Sequence, residues 1–150
     1  MLVSAYRALG NTDGVLRAAE VALKRADAVL GRDQGNSGVM AYSAHALAAM
    51  GEAERAKGRM NRALLIDPDD WKMRYNFACT LCVYLHDTHA ALEMLGPVLA
   101  TITGEFLPYA KADPDFESLR DDPRYQAMVA AAEARLAAAK STTPPAPEAA

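Results

Sequence analysis

Cys79, Cys82, His86 and His89 are the residues whose types and spacing could do chemistry, since together they read C-x2-C-x3-H-x2-H. Thiolate and imidazole are the ligands that zinc prefers, and a close Cys pair is also the unit of thiol exchange. Known structural zinc sites, however, separate their ligand pairs by a turn or a longer stretch. Four ligands crowded along one helix cannot readily wrap a tetrahedral ion. The break at Leu85-His86-Asp87 also moves His89 onto a following helix. No strand precedes the Cys pair, as a redox motif of the thioredoxin type would require. The expectation is therefore no metal and no cofactor, with Cys79 and Cys82 as small buried or groove-lining side chains, and a Cys/His metal or thiol protein as the rival reading.

Other constellations are weaker still. Arg55, Arg59 and Arg62, with Lys57 nearby, form a basic stripe partly offset by Glu52 and Glu54. A solvated outer face explains such a stripe better than a phosphate site. The three histidines and the carboxylates pair into no defined acid and base, and no glycine-rich loop follows a strand. The chain is expected not to be an enzyme.

Composition bounds the setting. The chain has 150 residues, enough for one domain with a core of its own; 51% are hydrophobic, 23% charged, and the net charge is −3. Abundant alanine suits close helix packing and points to an all-α fold. A weakly acidic chain exerts no global pull on phosphate backbones, so direct nucleic-acid binding is not expected. No run of about 18 apolar residues or signal-peptide core occurs, and the two cysteines form no disulfide framework, so a cytoplasmic chain with no membrane contact is expected.

The elements that position these residues read as a series of helices between short polar breaks. The first covers about 2–9 and stops at Gly10-Asn11-Thr12-Asp13-Gly14. The second runs from about 15 to 30 with Leu16, Ala19, Leu23, Ala26 and Leu30 on its inner face. Helices near 38–50 and 53–66 follow, divided at Gly51-Glu52 and ended by Asp67-Pro68, after which Asp69 or Asp70 caps a helix over 71–85. Its partner spans about 88–99 and is bent or shortened by Gly96-Pro97. Asp113-Pro114 and Asp122-Pro123 each start a helix, one short and one long. The long one, from 123 to about 139, buries Tyr125, Met128, Val129, Ala132 and Leu136 and turns Arg124, Glu133, Arg135 and Lys140 outward. Residues 141–150, STTPPAPEAA, are expected to be a disordered tail.

A shift of 34 residues lays Met40-Ala41-Tyr42 on Arg74-Tyr75-Asn76, Ala44 on Ala78, Leu47 on Leu81 and Ala56 on Ala90. The segment Ser37–Asp70, with small Ala44, Leu47, the turn at Gly51, small Ala56, Ala63 and closing Pro68, resembles a tetratricopeptide repeat. Met40, Ser43 and Arg74 depart from its pattern. The resemblance implies a right-handed helical-hairpin solenoid of about three hairpins: a degenerate repeat over 2–36, a clear one over 37–70 and a third over 71–103. A closing segment over 104–140 caps it with the long helix. YNFAC at 75–79 and DPDFESLRDDPRYQAMV at 113–129 look like the closing segment of repeat arrays in large bacterial signalling proteins. The chain could thus be a regulatory appendage of such an enzyme or transcription regulator.

In that family one stripe of each hairpin's first helix lines a concave groove. Transferred here, the resemblance implies a protein or peptide partner bound by Arg7, Ala41, His45, Lys72, Tyr75, Asn76, Cys79 and Cys82, with Ala48 on the same stripe. Tyr75 offers a flat amphipathic contact, Lys72 and Arg7 charge for an acidic segment, and Asn76 a hydrogen bond to a peptide backbone. Phe77, Ala78, Leu81 and Leu85 form the separate core stripe. The apolar start at Met1-Leu2-Val3 needs covering by a second copy or an upstream domain, and self-association giving a homo-oligomer through the N-terminal end is expected.

Overall fold

Asn11, Asn36, Asp70 and Asp87 do the same job at four points in the chain. Each side-chain oxygen accepts the amide three residues on, from Gly14, Val39, Met73 and Ala90, at 2.8–3.0 Å. Such a cap satisfies an amide that the first helical turn leaves open and is worth about 1 kcal/mol. The computed structural model describes residues 2–142, and these caps open four of its helices. α1 is Leu2–Ala8, α2 Thr12–Leu30, α3 Ser37–Ala49, α4 Ala53–Ile66 and α5 Trp71–Thr80. α6 is Thr88–Thr101, α7 Leu107–Ala112 and α8 Pro123–Thr142; a 3-10 helix, Pro114–Leu119, joins the last two. No strand occurs among the described residues. The chain is all-α, as expected.

From α1 to α6 most helices pack on a sequence neighbour: α1 on α2, α2 on α3, α3 on α4, and α5 on α6. α3 also meets α5, and α8 lies on α6. Gly51, at φ +79°, makes the sharp turn between α3 and α4 in the left-handed region that glycine enters without strain. The main core gathers Met40, Met60, Phe77, Leu81, Leu95, Leu99, Phe116, Leu119 and Tyr125 from α3 to α8. A smaller cluster of Val3, Val15, Ala19 and Ala46 joins α1 and α2 to α3.

Several elements differ from expectation for local reasons. α2 begins at Thr12, three residues early, because Asn11 caps it and places Gly14 inside the helix. Ala19, Leu23, Ala26 and Leu30 face inward as expected, but at the start of the helix Val15 is buried while Leu16 is 40% exposed. The helix over 71–85 widens to π geometry at Leu81–Leu85 and ends on His86 in the left-handed conformation (φ 51°), where Asp87 N donates to Leu81 O. α6 runs through Pro97 to Thr101 rather than stopping at Leu99. The segment after Asp113-Pro114 is 3-10, and α7 was not foreseen. Ser141 and Thr142 complete α8, correcting the start of the expected tail; its remainder, 143–150, lies outside the described residues.

Ser43 and Arg74, which depart from the expected repeat pattern, are held by polar ties. Buried Ser43 donates to Met40 O and accepts from Arg59, which also pairs with Asp27 at 2.7 Å, so one guanidinium joins α2, α3 and α4. Arg74 Nε donates to Pro68 O at 3.1 Å. The basic stripe on α4 is thus partly structural rather than simply solvated, since Lys57 also pairs with Asp87 at 2.7 Å. Arg135, exposed as expected, still reaches Ile102 O at 2.6 Å and caps the C-terminal end of α6.

Candidate functional site

The odd-numbered helices share one open cleft of about 400 Å³. Ser4 and Arg7 come from α1, Ala41, Tyr42 and His45 from α3, and Lys72, Tyr75, Asn76, Cys79 and Thr80 from α5. Val83 and Tyr84 of the π turn, Tyr109 of α7, Asp113 just before the 3-10 helix and Asp115 within it also line the wall, as do Gly38, Asp70, Met73 and Phe77. None of the lining residues belongs to α2, α4, α6 or α8. Small residues on the packing faces, such as Ala44, Ala56, Ala63 and Ala78, let each pair of helices close while its first member keeps one side free.

Of the residues expected to bind a partner, Arg7, Ala41, His45, Lys72, Tyr75, Asn76 and Cys79 all line this cleft. Cys82 does not: it is buried, burial pushes its thiol pKa up, and a hydrogen bond with Ser118 opposes that rise. After Thr80 the cleft wall continues through Val83 and Tyr84, while Cys82 turns into the core. Ala48, also placed on the stripe, is buried against Leu47 and Ala56.

Tyr75 requires the largest correction. It is only 7% exposed, and its ring stands edge-on to Phe106 and Phe116 at 5.3 and 5.2 Å. Its hydroxyl donates to Asp113 at 2.5 Å, and burial together with that bond pushes the phenol pKa well up. Tyr75 therefore anchors the closing segment and forms floor, while the exposed contacts are Tyr42, Tyr109, Asn76 and Lys72. The Lys72 ammonium sits 5.8 Å from the Trp71 ring centre, a cation–π contact, and makes no ion pair among the described residues.

Arg7 meets Asp115 at 2.6 Å across 108 positions of sequence, strapping α1 to the 3-10 segment. Its charge is committed to that pair rather than open to an acidic segment. The cleft carries three carboxylates, Asp70, Asp113 and Asp115, against two cations, Arg7 and Lys72. The sequence reading missed Asp113 and Asp115 as cleft residues because it assigned the Asp-Pro step a capping role alone. Asp113 performs that role too, accepting from Asp115 N at 2.9 Å.

The cysteine and histidine set does not converge. Burial, then the Asp113 and Asp115 carboxylates, push the Cys79 thiol pKa well up, so it stays protonated at neutral pH. His86 and His89 are exposed, and His89 meets Glu93 at 3.4 Å and Arg124 at 3.2 Å. Among the described residues, no three His, Cys, Asp or Glu side chains are grouped to hold a metal ion. None of the described helices is long and apolar enough to cross a membrane.

No family model, no curated protein and no solved structure matches this chain. The functional reading rests on the cleft itself.

Proposed function

We propose that this chain is a non-catalytic protein-interaction module, a tetratricopeptide-like array of about three helical hairpins closed by α8. Its cleft takes a peptide or helix of a protein partner. The observation that carries the reading is the alternation: one helix of each successive pair faces the cleft and the other backs it. That division supplies a preformed concave surface, which lowers the ordering cost of binding. Exposed aromatic rings at Tyr42 and Tyr109 are the side-chain type that most often supplies interface energy.

Lys72→Glu, Asn76→Ala and Tyr109→Ala combined alter the exposed wall without touching the buried Tyr75 anchor. Affinity capture from a lysate of the source cell, read by mass spectrometry, should lose the proteins held by the unsubstituted chain, with helicity by circular dichroism unchanged. An identical captured set from both proteins would overturn the assignment of this cleft.

A further inference from the structure

α1 turns Ser4 and Arg7 to the cleft but Leu2 and Tyr6 to a second open groove of about 400 Å³. α2 runs along this groove with Ala18, Val21 and Ala22 between Arg17 and Arg25, and α3 closes its third side. Leu2, Val21 and Tyr42 are exposed, so its apolar wall faces solvent. No acidic residue lines it. Neither Arg17 nor Arg25 makes an ion pair among the described residues. The groove is therefore positive in a chain whose net charge is −3, and residues 1–66 hold nine Lys and Arg against six Asp and Glu.

An apolar wall with an unpaired cation toward each end is complemented by a segment that is apolar along one stripe and acidic at its flanks. Every lining residue belongs to a helix, so the walls offer no strand edge. An extended segment would lay its own N–H and C=O groups there without partners, whereas a helix bonds its backbone internally. Arg17 and Arg25 stand eight residues apart on α2, which at 1.5 Å per residue is about 12 Å. A helix laid along α2 meets both with carboxylates about seven or eight residues apart, and its apolar side chains fall on the same stripe between them.

We infer that the groove between α1, α2 and α3 docks an acidic amphipathic helix of a protein partner. The surface is separate from the cleft and goes beyond the proposed function. Two copies of this chain paired about a two-fold axis through the groove would instead set arginines against arginines. A lipid bilayer is flat on this scale and leaves a concave wall unfilled.

The probe is a capped, dye-labelled, alanine-based peptide of about 20 residues, long enough to hold a helix in water, with E-x-x-L-L-x-x-E on one face. Fluorescence anisotropy against the full chain at low salt should show saturable binding. A K-x-x-L-L-x-x-K counterpart, and a peptide of the same composition with its glutamates moved to the opposite face, should each bind at least about tenfold more weakly. Arg17→Glu with Arg25→Glu should weaken the acidic probe by at least about tenfold and make the lysine probe bind better than it does to the unsubstituted chain. A misfolded variant cannot produce that reversal.

Equal binding of the three peptides would overturn the inference, as would arginine substitutions without effect. Loss of the acidic probe on Lys72→Glu alone would place it in the cleft and overturn it too. A dimer in light scattering that the two arginine substitutions break would make a second copy the occupant. Phosphatidylserine vesicles bound through the same arginines, with the peptide ignored, would make it a lipid surface. Either result refutes a helical protein segment here. If the doubly substituted chain fails to fold, the three peptides against the unsubstituted chain still decide.

Discussion

At His45 the fold works against a charge. Desolvation lowers its pKa from 6.5, Asp115 offsets part of that, and Arg7 adds to the lowering. A histidine held neutral in the folded state binds fewer protons than the same residue unfolded, so stability rises with pH across its titration. Its contribution is neutral above pH 6.5, where both states are uncharged, and turns unfavourable as pH falls through 6.5 toward the lower folded value. Denaturant unfolding should therefore show lower stability at pH 5.5 than at 7.5, and His45→Gln should flatten that slope. An unchanged slope would mean that His45 titrates as if exposed. The comparison also shows how far residue spacing can be read: it placed His45, Lys72 and Asn76 on the cleft correctly. It could not tell that Tyr75, on the same stripe, turns its hydroxyl to Asp113, 38 positions away.

Among the elements, α1 approaches α2 closely at Gly14, and nothing in the sequence marks that approach. A Cβ at Gly14 would stand 2.6 Å from Tyr6 Cδ1 and 2.7 Å from its Cγ, close to the root of the ring and not at a flexible end. Gly58, in the middle of α4, has nothing within 4 Å of the same construction. The same substitution should thus act oppositely at the two sites. Gly58→Ala gains helix propensity and should stabilise by about 0.5–1 kcal/mol. Gly14→Ala must displace α1 and should cost about 1–3 kcal/mol despite the same propensity gain. Thermal melts of the two variants check this, since 1 kcal/mol moves the midpoint by about 2–4 °C in a chain of this size. Gly14 reads as a turn residue because it follows Gly10-Asn11, and only the cap at Asn11 reveals that the helix has already begun. Helices marked by caps or Asp-Pro steps were legible for that reason. α7 and the π turn were not, because six residues are too few to show a helical period and the widened turn leaves no local signature.

Across the whole molecule, burial is unevenly shared. The main cluster holds large side chains from α3 through α8, whereas the N-terminal pair contributes Val3, Val15 and Ala19 to a cluster closed by Ala46. A fully buried Val or Leu is worth about 1.5–3 kcal/mol, so α1 and α2 rest on much less than α5, α6 and α8 do. Arg7–Asp115 adds little, because an ion pair this exposed contributes about 0–1 kcal/mol. Meanwhile Leu2 and Leu9 are 68% and 79% exposed, and Val21 and Val29 also face outward. Elements with few buried apolar contacts open at lower free energy, so α1 and α2 should open before the rest. Native-state hydrogen exchange in dilute protein should show α1 and α2 amides opening at a lower free energy than those of α5, α6 and α8. Uniform protection would contradict the uneven core. The same measurement tests whether a second copy covers that end. If copies pair there, protection of α1 and α2 alone should rise with protein concentration, because association stabilises only the surfaces it buries. A profile independent of concentration would leave Leu2, Leu9 and Val21 as ordinary exposed side chains.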